Sequence, residues 1–217
     1  MSIKSSAAKL LAKRDVKRVQ SWANSPEESQ RKTLDELSRN LRLTAYGKDL
    51  ELGSSISQNN WPKQIPLVDY EALKPYVERI KTGEENVLYP GKPAYLCTTS
   101  GTTSGAKYIP MTKHGIEAQI LAARNSLLCY VNENKKTDFI DGKMIFLQGS
   151  PTMEMVNGIG VGRLSGIVAH HVPNYLQRNR MPSWDTNCID DWEKKIDAIA
   201  DETINEDMRL ISGIPPW

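Results

Sequence analysis

The sequence predicts an α/β fold in which N-terminal helices are followed by a mixed sheet flanked by helices. Three observations carry that prediction. Before Pro90-Gly91 the apolar residues recur mainly at helical spacing. After it, short β-type runs (Ala94–Thr98, Tyr108–Met111, Lys143–Leu147, Met208–Ile211) alternate with helix-period segments. The third is size: 217 residues amount to one large domain or one and a half, and a chain this long buries roughly 70% of its unfolded surface. The expected division is a mainly helical region over 1–90 and an α/β core over 91–217.

Composition narrows the function classes. Lys plus Arg number 28 and Asp plus Glu 26, a net charge of +2, without the basic surplus of a nucleic-acid binder. No apolar run approaches the roughly 18 residues that span a bilayer. Lys9 and Lys13 interrupt the apolar N-terminal residues, so no signal-peptide core is read there. Cys97, Cys129 and Cys188 are too far apart for metal spacing and odd in number. They read as reduced packing residues in a cytoplasmic protein, with neither a membrane nor a nucleic acid as partner.

The elements follow in order. Residues 4–22 read as a basic amphipathic helix with Ala7, Leu10, Leu11, Val16, Val19 and Trp22 on its apolar side. Ser25, Pro26 and Glu28 together read as a capping box, opening a helix whose buried stripe is Leu34, Leu37 and Leu41. Residues 44–66 read mostly as loop, being rich in Gly, Ser, Asn and Pro. Tyr70, Leu73, Tyr76, Val77 and Ile80 mark a helix that Pro75 is expected to split. Thr112 caps a helix reaching to about Tyr130. A glycine-rich loop is expected over 149–166, a short helix over 163–171, and a helix over Ile189–Ile199 with Trp192, Ile196 and Ile199 as its stripe.

The chemistry concentrates in Thr98–Lys107, which offers six hydroxyls, two glycines and one lysine in ten positions. Glycines let backbone N–H groups approach a ligand closely, hydroxyls add donors, and lysine adds a compact positive charge. That composition fits a phosphate cradle, and equally a Ser/Thr-rich hairpin turn. A Walker loop is excluded by Ala106 and Tyr108, which stand where glycine and the magnesium-binding hydroxyl belong. Ser100-Gly101-Thr102-Thr103, with Lys107 seven residues after the serine, instead resembles the signature of adenylate-forming enzymes. The run TTSGTTSGAKYIPMT, with LRLTAYGKD and IPLVDYEALKPYVERIKTGEENVLYPG before it and SGIPPW after it, resembles the auxin-responsive acyl-acid amido synthetase family. The likeness extends from about residue 25 to the end.

The resemblance implies part of an adenylate-forming large domain. Enzymes of this kind activate a small carboxylic acid with ATP and Mg to an acyl-adenylate, then transfer the acyl group to an amine or amino-acid acceptor. It implies that Thr99, Ser100, Gly101, Thr102, Thr103, Ser104, Gly105 and Lys107 hold the nucleotide phosphates, with Lys107 and Thr102 catalytic. Lys107 is left either pairing with a phosphate or pinning the loop to a carboxylate. No metal ligand is assigned, since the further motifs of such enzymes are expected beyond Trp217. On that expectation the chain is the N-terminal part of a ligase and inactive alone. An acyl-CoA-forming ligase and a catalytically silent nucleotide-binding or scaffold remnant are the alternative readings.

The remaining signals are weaker. Gly158–Gly166 fails the dinucleotide spacing at Arg163 and Ser165, and reads as a loop bordering an apolar acyl pocket built partly by 145–166. His170 and His171 point to different sides of a helix and make poor co-ligands. Self-association of the chain, or an exposed apolar face around 144–147 and 208–217, is expected.

Overall fold

A computed structural model describes residues 3–52, 56, 60–99, 105–172 and 177–213. The chain forms two compact units, one of residues 20–116 and 154–161, the other of 1–19, 117–153 and 162–217.

Among the described residues of the first unit, every element before residue 95 is helical. Helix α2 (Pro26–Arg42) starts on Pro26, as its sequence suggests, but Ser25 makes no side-chain cap bond. Its ψ of 62° is outside the extended geometry of a capping serine, and Glu28 pairs with Lys32 at 2.7 Å instead of closing a capping box. Leu34 and Leu41 are half-buried, whereas Leu37 is exposed. The expected loop over 44–66 contains two short helices, α3 (Ala45–Asp49) and α4 (Trp61–Gln64). Short helices need tertiary contacts rather than propensity, and α3 has them. Ala45 and Tyr46 donate to the carbonyls of Asn86 and Val87 at 2.8 and 3.1 Å, and the Thr44 hydroxyl caps Gly47 N at 3.0 Å. A Cβ on Gly47 would lie 1.9 Å from the Leu41 carbonyl oxygen, so only glycine fits.

Helix α5 (Tyr70–Lys81) runs unbroken through Pro75, contrary to the expected split. Asp69 caps it by accepting from Ala72 N at 3.0 Å, and Val77 and Ile80 anchor its inner face. Pro75 and Glu71 are exposed, so water can satisfy the carbonyl that proline leaves without a donor. The four-stranded sheet has the order β2-β1-β5-β4, built from β1 (Tyr95–Thr99), β2 (Lys107–Met111), β4 (Glu154–Val156) and β5 (Ile159–Arg163). Leu96, Ile159 and Val161 from this sheet pack on Ile80 and Val87 to form the core.

The hairpin β4–β5 occupies the region read as a glycine-rich loop. Its two-residue turn, Asn157-Gly158, has φ of +48° and +76°, the geometry of a type I′ turn. Asn157 Nδ2 donates to the Lys81 carbonyl at 2.6 Å, fixing the turn on the end of α5.

The second unit contains most of α1 (Ile3–Ala23) and of α6 (Lys113–Asn134). The buried side of α1 is Ser5, Ala12, Asp15 and Val16, while Leu10 and Trp22 are exposed. Of the expected apolar stripe Val16 is buried and Leu11 and Val19 are half-buried, and Asp15 is buried beside them, paired with Arg14 and Arg124 at 2.9 Å each. Strand β3 (Lys143–Phe146) is central in a parallel sheet ordered β6-β3-β7, with β6 (Arg180–Met181) and β7 (Met208–Ser212). Helices α7 (Leu164–Ala169), α8 (Trp184–Asn187) and α9 (Trp192–Thr203) also belong to this unit. On α9, Ile199 is buried but Trp192 and Ile196 are 40% and 46% exposed. Lys195 is buried in their place. No helix among the described residues is long and apolar enough to cross a membrane.

Candidate functional site

The loop singled out by composition is the turn of an antiparallel hairpin. Thr99 and Lys107 are directly opposed in the β1–β2 register, so their side chains leave the same face of the sheet at the mouth of the loop. Five of the nucleotide-site candidates (Ser100, Gly101, Thr102, Thr103 and Ser104) lie outside the described residues. Thr99 is exposed at the end of β1. Gly105 has φ +81°, and a Cβ there would meet nothing within 4 Å. Glycine is needed at that point for backbone direction, not for space.

Lys107 Nζ lies 5.3 Å from the centre of the Tyr70 ring. Tyr70, the first residue of α5, accepts a hydrogen bond from Tyr108 N at 2.9 Å through its hydroxyl. Lys81, from the last turn of the same helix, sits 4.6 Å over the Tyr108 ring. Helix α5 therefore braces the second strand of the hairpin at two points, and Tyr70 supports the lysine through a cation–π contact. Lys107 makes no ion pair with a carboxylate among the described residues. The sequence reading missed Tyr70 because its helical spacing marked it only as a packing residue. The IPLVDYEALKPY segment that carried the resemblance holds both Tyr70 and its capping Asp69.

Residues 148–150 and 163 border a second feature, a cavity of about 440 Å³ also lined by Ile189, Asp190, Trp192 and Lys195. Its wall is charged, unlike the apolar pocket expected from 145–166. Lys195 is only 3% exposed and donates to the Asn187 carbonyl at 2.6 Å. Burial holds its pKa below the usual lysine range. A lysine at i+3 between Trp192 and Ile199, inside an apolar helix stripe, was the sequence signal for it. The nearby glycines have packing roles: a Cβ on Gly166 would lie 2.1 Å from the Ser150 carbonyl oxygen.

Other candidates are structural. His170 Nε2 is 2.7 Å from the Pro151 carbonyl, and its ring meets Trp184 edge-on. Burial and the neighbouring His170 lower the pKa of His171. Among the described residues no three His, Cys, Asp or Glu side chains are grouped to hold a metal ion. The Cys97 thiol is pushed up to about 11 by burial, so it is protonated at neutral pH.

The model of the GH3 family N-terminal domain matches residues 15–191. Indole-3-acetic acid-amido synthetase GH3.15 of Arabidopsis thaliana is 37% identical over 86 residues, covering 39% of this chain and 14% of that protein. Jasmonoyl--L-amino acid synthetase GH3.5 of Oryza sativa subsp. japonica is 29% identical over 131 residues, 58% of this chain and 22% of that one. Among solved structures, GH3.15 acyl acid amido synthetase has the same fold at a TM-score of 0.57 and 20% identity, covering 76% of this chain and 32% of that one. AtGH3.15 acyl acid amido synthetase in complex with 2,4-DB gives a TM-score of 0.56 at 25% identity, covering 71% of this chain and 27% of that one. In each case the matched region is less than a third of the relative's length.

Proposed function

This chain belongs to the GH3 family, and from that premise we propose that the protein carrying it is an ATP-dependent acyl-acid amido synthetase. It activates a small carboxylic acid to an acyl-adenylate and passes the acyl group to an amine or amino acid. The observation that carries the proposal is the β1–β2 hairpin end, with Thr99 and Lys107 opposed across a Gly/Ser/Thr turn. The relatives' names supply the acceptor chemistry.

In this reading the substrate carboxylate attacks the α-phosphorus of ATP in line, and pyrophosphate leaves. Both reactants are anionic, so the protein's task is positioning and charge neutralisation. Ser100, Thr102 and Thr103, with the backbone of Gly101, Ser104 and Gly105, hold the β- and γ-phosphates. Lys107 pairs with a phosphate rather than with a carboxylate anchor, a choice supported by its ring contact to Tyr70 and its lack of an ion pair among the described residues. Mg, when bound, would neutralise phosphate charge. Its protein ligands are not assigned to this chain.

Incubation of the whole protein with ATP, Mg, a carboxylic acid and an amino acid tests the reading. The expected products are AMP, pyrophosphate and an amide, detected by mass spectrometry. Formation of a thioester with coenzyme A instead of the amide would replace it with the acyl-CoA ligase reading. Release of ADP and phosphate would overturn it.

A further inference from the structure

The outward face of helix α1 takes no part in the proposed reaction, and its charge is one-sided. The helix carries six basic residues, Lys4, Lys9, Lys13, Arg14, Lys17 and Arg18, and one acid, Asp15. Asp15 is turned inward, 4% exposed, with its carboxylate held between Arg14 and Arg124. The lone negative charge is therefore withdrawn from the surface, and the exposed charge of the helix is all positive. Lys13 and Lys17 are exposed and make no ion pair among the described residues. Arg14 keeps 71% of its side chain exposed even while paired.

Two aliphatic side chains share that face. Ile3 is 90% exposed and Leu10 74%. At 3.6 residues per turn, Ile3, Leu10 and Lys17 fall along one line of the helix, seven residues apart. Lys13 and Arg14 stand three and four residues beyond Leu10, the positions that adjoin it on a helix surface. Ser6 and Ala7, between the two aliphatic residues, are exposed and small, so Ile3 and Leu10 stand clear of their neighbours. The opposite side of α1 is engaged, with Ala12 and Leu11 packed on Leu128 and Val131 of α6. Held by that side, the helix presents a cationic face with an aliphatic centre.

We propose that this face docks the protein on an anionic lipid surface, with Lys13, Arg14 and Lys17 paired with lipid phosphates and Ile3 and Leu10 inserted at the acyl boundary. The helix then lies in the plane of the interface and does not cross it. Charge complementarity identifies the partner, since a leaflet of anionic lipids attracts clustered Lys and Arg. A nucleic acid offers similar phosphates, but its backbone gives two aliphatic side chains nothing to enter. The composition alone led to the opposite expectation, because the net charge of +2 conceals a helix whose only acid is buried. The proposal does not depend on the role of the 98–107 loop.

Flotation of the whole protein with vesicles tests this, using phosphatidylcholine alone and an equal mixture of phosphatidylcholine and phosphatidylglycerol. Binding to the mixed vesicles only, weakened as salt is raised, is expected. Lys13→Gln combined with Lys17→Gln should weaken it roughly thirtyfold, and Leu10→Ser roughly tenfold. All three positions are exposed, so the variants keep the fold, which circular dichroism checks. Absence of binding to the mixed vesicles overturns the proposal, as does binding that the double lysine variant retains. Binding that Leu10→Ser leaves intact overturns the inserted geometry and with it the proposal. Binding of duplex DNA without vesicle binding, lost in the double lysine variant, overturns it in favour of a nucleic acid.

Discussion

Two glycines in the same unit serve opposite purposes. Gly105 has open space around it and a positive φ. Replacing it with alanine costs only the left-handed backbone penalty, about 1 kcal/mol. Gly47 has no such penalty, but its Cβ would collide with the Leu41 backbone, so Gly47→Ala is expected to cost about 3 kcal/mol through overpacking. Urea unfolding of the two variants checks the order, and equal losses would contradict it. Neither distinction is legible in the sequence, where both are simply glycines near turns. Lys107 is different. Its spacing from Ser100 marked it from the start, whereas its support by Tyr70 depends on where α5 packs.

At the level of elements, period and caps were legible where local chemistry decides. Helix α6 begins after Thr112, whose hydroxyl accepts from Gly115 N at 3.0 Å, as the capping signal implied. Reading failed where long-range contacts decide. The inner side of α1 takes in the ion-paired Asp15 while Leu10 and Trp22 of the expected stripe stay exposed, and α5 survived Pro75 because the affected turn faces solvent. Pro75→Ala should therefore stabilise the protein, by about 2 kcal/mol, by restoring a helix hydrogen bond. An unchanged urea midpoint would mean that the helix there is already optimal. The β4–β5 hairpin was legible but overlooked: Asn157-Gly158 between two β-type runs is a strong hairpin signal, obscured by the glycines that follow.

Helices α8 and α9 are joined by a carboxylate. Burial pushes the Glu202 pKa up, but hydrogen bonds from the Ser183 and Thr186 hydroxyls and from Ser183 N outweigh it and hold the pKa below the usual glutamate range. A lowered folded pKa means that the unfolded chain binds more protons as the solution is acidified. The stabilisation is present above the unfolded value and is lost as pH falls through the folded value. Thr186→Val should cost about 2 kcal/mol at pH 7, the scale of a hydrogen bond to a charged group, and markedly less at pH 3. A cost independent of pH would assign the loss to packing instead.

Across the whole molecule, the α/β class was legible because strand runs and helix periods alternate after residue 91. The pairing of those strands into two sheets was not, since both sheets join segments distant in sequence. Strand β7 ends the parallel sheet, pairing with β3 alone among the described residues, and Ile211 on it is 75% exposed. Such an edge invites pairing with another chain. Sedimentation of the 217-residue chain across a concentration range should show self-association that Ile211→Lys reduces, and strictly monomeric behaviour would contradict it.

The central claim is that the hairpin loop of residues 98–107 holds the phosphates of ATP while an acid is activated. Its most direct test is the acid-dependent exchange of labelled pyrophosphate into ATP by the whole protein, compared with Lys107→Ala. Exchange that requires the acid and falls roughly a hundredfold in the variant is predicted, the scale of losing one donor to the transition state. Acid-dependent exchange at the wild-type rate in Lys107→Ala would contradict the claim.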